Sequence, residues 1–531
     1  MYVSYVPLGG SAAQNASSLA TAIEQASDLG GGKVVIDAGT FDFDTVLLKS
    51  NVLLEGAGMD ATVLVQAATL GASYGLLHAE SADATSFVES ITIRDLTLKN
   101  TVGTFSEFIH LLSLSGVRNA LIERVKFQGF RGDGLILHGI GLSDSEERHN
   151  LNVTIRDCIF DGVNNENRQG VSIIDCDGLV IDDSLFENCT KSTMPGAIDF
   201  EPDNAFNVVR NALVNGCAFR NVGGNVATVA LVIGASIPVP TGIAVTNNVF
   251  IDYAGSGSEV FVNVYRTMAA SDPDMGVLIS ENFGSGGNIG LNLFDAKGIA
   301  SVDNVWQDYA TYGALLGVSG VSKDIAISDR FVRCGQNPGF PYGMVVRNVD
   351  GLRLTGSEFI DCGNGIGDAC AIYFVDGGST GASDNVDLSG AKVQSPGGNT
   401  NHAVLRTASH TFTPANNRQR GFDAGGLTNQ FVARAPDELL PLVTLTWDPP
   451  SLADGAGVTS AAITVTGAAF GDTVTVGAPY DLQGILCTGY VSAADTARIR
   501  LQNETGATIN LASGDWKVTV AKALLAAPLY S

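Results

Sequence analysis

Val153-Thr154-Ile155-Arg156-Asp157-Cys158-Ile159-Phe160 holds the pattern that decides the fold: alternating β-branched and polar residues, an acidic corner, then an aromatic. The pattern returns as Ile91-Thr92-Ile93-Arg94-Asp95-Leu96, as Ala120-Leu121-Ile122-Glu123-Arg124-Val125-Lys126-Phe127 and as Leu179-Val180-Ile181-Asp182-Asp183-Ser184-Leu185-Phe186. Phe219, Phe250, Phe283, Trp306, Phe331 and Phe359 fall at matching places further on. Their spacing of roughly 23 to 34 residues suits a solenoid whose strands keep their length while its turns vary. One such repeat cannot bury its apolar face alone, so the copies must stack.

The alternation has period two and is bounded by Gly, Asn and Asp, which is the pattern of strands rather than helices. A leucine-rich repeat needs a regular Leu frame, and a propeller blade needs about 40 or more residues. Neither fits. A parallel β-helix with three short strands per coil remains, with inward Val, Ile, Leu and Phe stacking at about 4.8 Å from coil to coil. The 63 Gly and the 16% charged residues among 531 agree with a turn-rich all-β chain that has a large core.

The formal net charge of −25 argues against nucleic acid or an anionic membrane as partner. The eight Cys stand singly with no metal-ligand spacing, so they read as free, buried structural thiols. Neither a basic, apolar leader at the start nor a membrane-spanning apolar run is visible, so the expectation is a soluble protein without a signal peptide.

Residues 17–30 place Leu19, Ile23, Ala26 and Leu29 on one helical face, with Ser17 or Ser18 as N-cap and Gly30 as stop. The expected organisation is an arm and capping helix over 1–35, the β-helix over 36–395, a connector over 396–441 and a C-terminal β-sandwich or jelly roll over 442–531. The last module shows alternating strands such as Thr444-Leu445-Thr446-Trp447 and Trp516-Lys517-Val518-Thr519-Val520 without the coil pattern.

The opening, with TAIEQA, GGGKVVIDAGTF and SNVLLEGAG, resembles the entry segment of the pectate-lyase-like, right-handed parallel β-helix superfamily. NRQGVSI (167–173) and PGAIDFEPDN (195–204) resemble phrases of its carbohydrate-active and phage-borne members, and the C-terminal module resembles one found on phage tail-associated proteins. The resemblance implies a phage tailspike or tail-fibre-like protein: a homotrimer on a virion tail or adaptor, acting outside the cell on a bacterial surface polysaccharide. The C-terminal module would then be the trimer clamp, with Leu439, Leu440, Leu442 and Trp447 as contacts. The alternatives are a non-catalytic adhesion spike and a free-standing polysaccharide hydrolase or lyase.

Three coils begin a strand in parallel fashion at Gly132-Asp133-Gly134-Leu135, Arg168-Gln169-Gly170-Val171 and Pro195-Gly196-Ala197-Ile198. With Leu135, Val171 and Ile198 inward, Ile136, Ser172 and Asp199 share one outward row, and His138, Ile174 and Glu201 the next. Asp199 and Glu201 would stand about 6 to 7 Å apart, near the roughly 6.5 to 9.5 Å used by inverting glycosidases. Asp133 completes the catalytic set. Arg168 is a candidate for a sugar carboxylate or sulfate, with Gln169, His138, Asp175 and Tyr265 as further substrate contacts and Tyr342 and Phe340 as stacking platforms. The competing reading is that these carboxylates cap turns. No cofactor is expected; for a lyase, Asp175, Asp177, Asp199, Glu201 and Asp203 suggest Ca²⁺ as the neutralising cation.

Overall fold

The computed structural model describes residues 2–67, 75–101, 106–139, 141–143, 146–163, 167–189, 191–233, 241–263, 272–317, 321–375, 383–408, 410, 412, 417–431 and 442–521. The chain forms an all-β parallel solenoid entered through one α-helix, followed by a small antiparallel β-domain. Two compact units result, one of Met1–Thr413 with Gly421–Val432, the other of Pro414–Arg420 with Ala433–Ser531.

The helix spans Ala12–Asp28, so it starts at least six residues earlier than an N-cap at Ser17 or Ser18 would place it. Ser11, not Ser17 or Ser18, is the N-cap, because Gln14 completes a reciprocal capping box with it. Leu19, Ile23 and Ala26 are buried as expected, whereas Leu29 sits past the last turn and is 65% exposed.

Each coil repeats the register of the one before. Val153, Thr154 and Ile155 pair with Ala120, Leu121 and Ile122 on one side and with Leu179, Val180 and Ile181 on the other. The corner between the two strands of the repeated pattern needs one left-handed residue, and Asp95, Arg124, Asp157, Asp183 and Asn247 supply it with φ between 46° and 58°. Asp and Asn tolerate that conformation best among residues with a side chain, which explains their recurrence. The aromatics beyond the corner stack at 4.6 Å from Phe127 to Phe160, 4.6 Å to Phe186, 5.0 Å to Phe219 and 4.9 Å to Phe250.

The stack departs from the sequence reading at Phe283. Gly284, not Phe283, pairs with Phe250 and Trp306, while Phe283 faces out at 38% exposure. A Cβ on Gly284 would meet the Trp306 ring at 2.7 Å, so the indole fills the space that a phenyl ring occupies elsewhere.

Beside the aromatics runs a buried polar ladder. Each rung accepts the amide of the coil below: Ser184 Oγ from Cys158, Asn248 Oδ1 from Cys217, Asn282 Oδ1 from Asn248, Asn304 Oδ1 from Asn282 and Asp329 Oδ1 from Asn304, at 2.9 to 3.1 Å. Seven of the eight thiols are buried, and burial pushes Cys158 up to about 12.

The coils run further than the change in composition suggested. His402–Arg406 still pairs with Cys370–Phe374, and Thr428–Asn429 pairs with His402–Arg406. Backbone pairing tolerates the Gly-, Asn- and Pro-rich turns that hide the alternation there. In the second unit, Gly514–Ala521 lies between Val443–Trp447 and Thr473–Gly477, and Thr496–Gln502 pairs with Leu486–Ala493, Gly457–Thr459 and Ile463–Thr464. Its core holds Trp516, Val518, Ile499 and Leu501. No helix among the described residues is long and apolar enough to cross a membrane.

Candidate functional site

The outer face of Leu112–Ser115, Leu135–His138, Val171–Ile173 and Ile198–Phe200 carries the polar residues singled out above. The register is the expected one: Leu135, Val171 and Ile198 align inward, and Ser113, Ile136, Ser172 and Asp199 form the next row. Just before these strands, the turns bring His110, Asp133 and Gln169 together. Asp133 N donates to His110 Nδ1 at 3.1 Å, and Gln169 N donates to Asp133 Oδ1 at 3.1 Å.

Asp133 is completely buried and its oxygens are engaged. Besides Gln169 N on Oδ1, Arg168 Nη1 donates to Oδ2 at 2.8 Å. Burial opposes its charge, but Arg168 first, then His110 and the Gln169 amide, hold the carboxyl below the usual range. Asp133, expected as a third catalytic acid, is thus buried with both oxygens bonded to groups of the next coil. Arg168 extends past it with 12% of its side chain exposed, and Glu107 lies 3.8 Å away.

Asp199 behaves in the opposite way. Gln169 Nε2 donates to Oδ2 at 3.0 Å, while Oδ1 is buried with no donor. Burial first, then the Glu201 charge and a side-chain hydrogen bond with Glu201, push its carboxyl well above the ordinary range. A buried oxygen without a donor and a neighbouring carboxylate both disfavour the ionised form of Asp199. The strand ends at Phe200, and Glu201 N still donates to Ile173 O of the preceding coil at 3.0 Å. Asp199 is fully buried, whereas Glu201 is half-buried and open to a ligand.

His138 is half-buried at the strand exit, edge-on to His110 at 5.5 Å. Burial, then the neighbouring His110, depresses it to about 3, so its imidazole is neutral and offers hydrogen bonds without charge. Asp175, expected as a substrate contact, is buried. Its Oδ1 accepts from Asn150 N at 3.1 Å, and its Oδ2 from Val208 N at 2.7 Å and His149 Nδ1 at 2.9 Å.

Tyr265 lies outside the described residues. Tyr342 stacks on Tyr373 at 4.4 Å, and Phe340 meets Tyr312 edge-on at 5.9 Å. Both lie on coils beyond the acidic centre, because Ile198 is followed in register by Val229, Val260, Leu291, Ala314 and Met344. Five steps of about 4.8 Å put that aromatic group about 24 Å away.

The acidic residues do not gather into a cation cage. Asp177 is engaged by Arg210 at 2.8 Å and Asn211 at 2.7 Å, Asp175 by the contacts above, and Asp199 with Glu201. Among the described residues no group of three or more His, Cys, Asp and Glu is placed to hold a metal ion.

The sequence reading missed His110, Glu147, His149 and Asn204. His110 was findable, since His110-Leu111-Leu112 aligns with Asp133-Gly134-Leu135 and Gln169-Gly170-Val171 at the starts of successive strands. The other three come from turns of unequal length, where no sequence register exists.

Comparison with known proteins bears on the fold. The tailspike protein of E. coli bacteriophage HK620, solved as a single-substitution variant in complex with a pentasaccharide, matches at TM-score 0.52 and 14% identity over 98% of this chain and 91% of its own. A second variant of it matches at 0.52 over 98% and 92%. The shared object is the right-handed parallel β-helix. The A-module of the Azotobacter vinelandii mannuronan C-5 epimerase AlgE4 matches at 0.45 and 16% identity over 81% of this chain and 99% of its own. No family model matches the chain, and no curated protein matches it in sequence.

Proposed function

We propose that this chain binds a polysaccharide across the outer face of Leu135–His138, Val171–Ile173 and Ile198–Phe200 and cleaves it by hydrolysis. The observation that carries the reading is the pair of buried Asp199, one of whose oxygens lacks a donor, and half-open Glu201 two residues on, beside the Arg168 cation. A carboxylic acid kept protonated at neutral pH is what protonation of a glycosidic leaving oxygen requires. Glu201 delivers the proton, since it reaches the open side, and Asp199 resupplies it. Asp203, two residues on along the exposed turn, is the second carboxylate and activates water. Arg168 pairs with an acidic substituent of the sugar, and neutral His138 takes a hydroxyl.

A binder without cleavage is the second reading. It is favoured by the complete burial of Asp199, because a carboxyl closed off from the face cannot flank a glycosidic bond lying on it. The test is incubation with capsular and exopolysaccharide preparations, following fragment size and absorbance near 235 nm. Fragments without absorbance that vanish in Glu201→Gln support hydrolysis; fragments with absorbance mean β-elimination; retention without fragments means recognition alone.

The site serves a free-standing enzyme as well as a trimeric spike on a particle, with residues 442–531 as the trimer clamp in the latter. Solution mass separates the two settings: a trimer of the 55.1 kDa chain favours the spike, a stable monomer the enzyme.

A further inference from the structure

A second polar cluster lies at the exit of the same strands. It is built from the turns that follow Leu135–His138, Val171–Ile173 and Ile198–Phe200. The first turn carries a short antiparallel hairpin, Gly141–Ser143 with Glu146–Glu147, and delivers Glu147 and His149. The second delivers Asp175, which fixes the His149 ring through Nδ1 at 2.9 Å and leaves a side chain that is 35% exposed. The third is a tight turn in which Asn207 Oδ1 accepts from Asp203 N at 2.8 Å and Asn204 N at 3.0 Å, while Asn204 Nδ2 donates to Glu147 Oε1 at 2.6 Å.

Two atoms in this cluster are left over. Glu147 Oε2 and Asn207 Nδ2 are buried and have no hydrogen-bond partner, on residues only 6% and 4% exposed. One is an acceptor and the other a donor, and both lie close to Gly139, where a Cβ would meet them at 3.0 and 2.6 Å, so only glycine leaves the two atoms uncovered on that side. Leaving such atoms dry costs about 1–3 kcal/mol each. One group that both donates and accepts satisfies the two together, and a hydroxyl does so.

The cluster is continuous with the acidic centre. Asp203 feels both Glu201 and Arg168, and Glu147 in turn feels Asp203. We infer that the Glu147–Asn207 pair is a second sugar subsite on the same polysaccharide track, in which Glu147 Oε2 accepts from and Asn207 Nδ2 donates to one sugar hydroxyl. His149, held by Asp175, borders it. This rests on the polysaccharide reading given above and adds where a neighbouring sugar unit sits.

The test uses the full chain carrying Glu201→Gln, which disables cleavage, and the capsular or exopolysaccharide preparation it retains, cut by dilute acid into a size ladder. Glu147→Gln and Asn207→Asp each put two like groups where a donor and an acceptor stood. Each is expected to lower affinity for the longer oligosaccharides roughly ten-fold, with unchanged affinity for the shortest ones that bind. The double variant exchanges donor and acceptor, which a hydroxyl accommodates, so it is expected to recover much of the loss. Unchanged affinity for long oligosaccharides means the pair holds only a trapped water, and equal loss for short and long ones means a structural role; either overturns the inference while leaving the polysaccharide reading in place. If the Glu201→Gln chain retains no polysaccharide, that reading falls first and the inference with it.

Discussion

Glu259→Gln will stabilise the protein, and by an amount that grows with pH. Glu259 is 1% exposed, accepts from Thr228 Oγ1 at 2.6 Å and Tyr309 Oη at 3.3 Å, and burial pushes its carboxyl up to about 8 from an ordinary 4.5. Below about 4.5 folded and unfolded chains both hold the proton. Between about 4.5 and 8 only the folded chain does, so stability falls by about 1.4 kcal/mol per pH unit, and about 5 kcal/mol is lost by pH 8. The neutral amide keeps the hydrogen-bonding shape and has nothing to titrate. Asp329, raised to about 6 by burial against Ser301, Asn304 and Trp306, titrates in both proteins and cancels in the difference. Unfolding entropy of about 2 cal/mol/K per residue over roughly four hundred solenoid residues gives about 0.8 kcal/mol/K. The variant should therefore melt about 6 °C above the parent near pH 8 and within about a degree of it near pH 5. Scanning calorimetry of both proteins at one scan rate, from pH 5 to pH 8.5, measures this. Melting curves that stay parallel across that range would refute the claim that Glu259 is protonated in the fold.

Three further outcomes follow from the geometry. Asn282→Leu breaks the ladder at a residue whose side chain joins Asn248, Val245 and Asn304; it leaves several buried groups unpaired and should cost at least about 2–3 kcal/mol in urea unfolding. Phe186→Ala empties a layer between Phe160 and Phe219 and should cost about 3–5 kcal/mol by the same measurement. Arg168→Ala leaves buried Asp133 without its cation. It should lower the melting temperature and also weaken binding of acidic polysaccharide, whereas Arg168→Lys restores the stability more fully than the binding, because a single ammonium is no planar fork.

The fold was legible because a β-helix writes its register into the sequence. Inward residues recur with period two, the left-handed corners select Asp and Asn, and the aromatics mark one layer per coil. The places where this reading slipped share a cause. At Phe283 a one-residue shift exchanges inside for outside, and the Trp306 ring together with the Tyr309 hydroxyl leaves room for no side chain at Gly284, which takes the inner place. Beyond Gln394 the strands persist as backbone pairing without their apolar alternation, so nothing in the composition announces them. At the other end, a capping box formed by Ser11 and Gln14 outweighed the later serines, which sit inside the helix.

The site was half legible, and the division follows the same physics. Rows of residues on a strand are fixed by period, so Ser172 above Asp199 and Arg168 beside Asp133 could be placed from sequence. Burial and protonation are not periodic. Asp133 and Asp199 look alike in sequence and both are fully buried, yet one meets a guanidinium and two backbone-anchored partners while the other meets a carboxylate. Their charge states diverge accordingly, one held ionised and the other held as the acid. That divergence separates two acids that look alike: Asp133 is bonded to Arg168, while Asp199 lies buried behind the half-open Glu201. The two roles come from the partners that neighbouring coils bring to each carboxylate, and those partners sit in turns whose lengths the repeat leaves free.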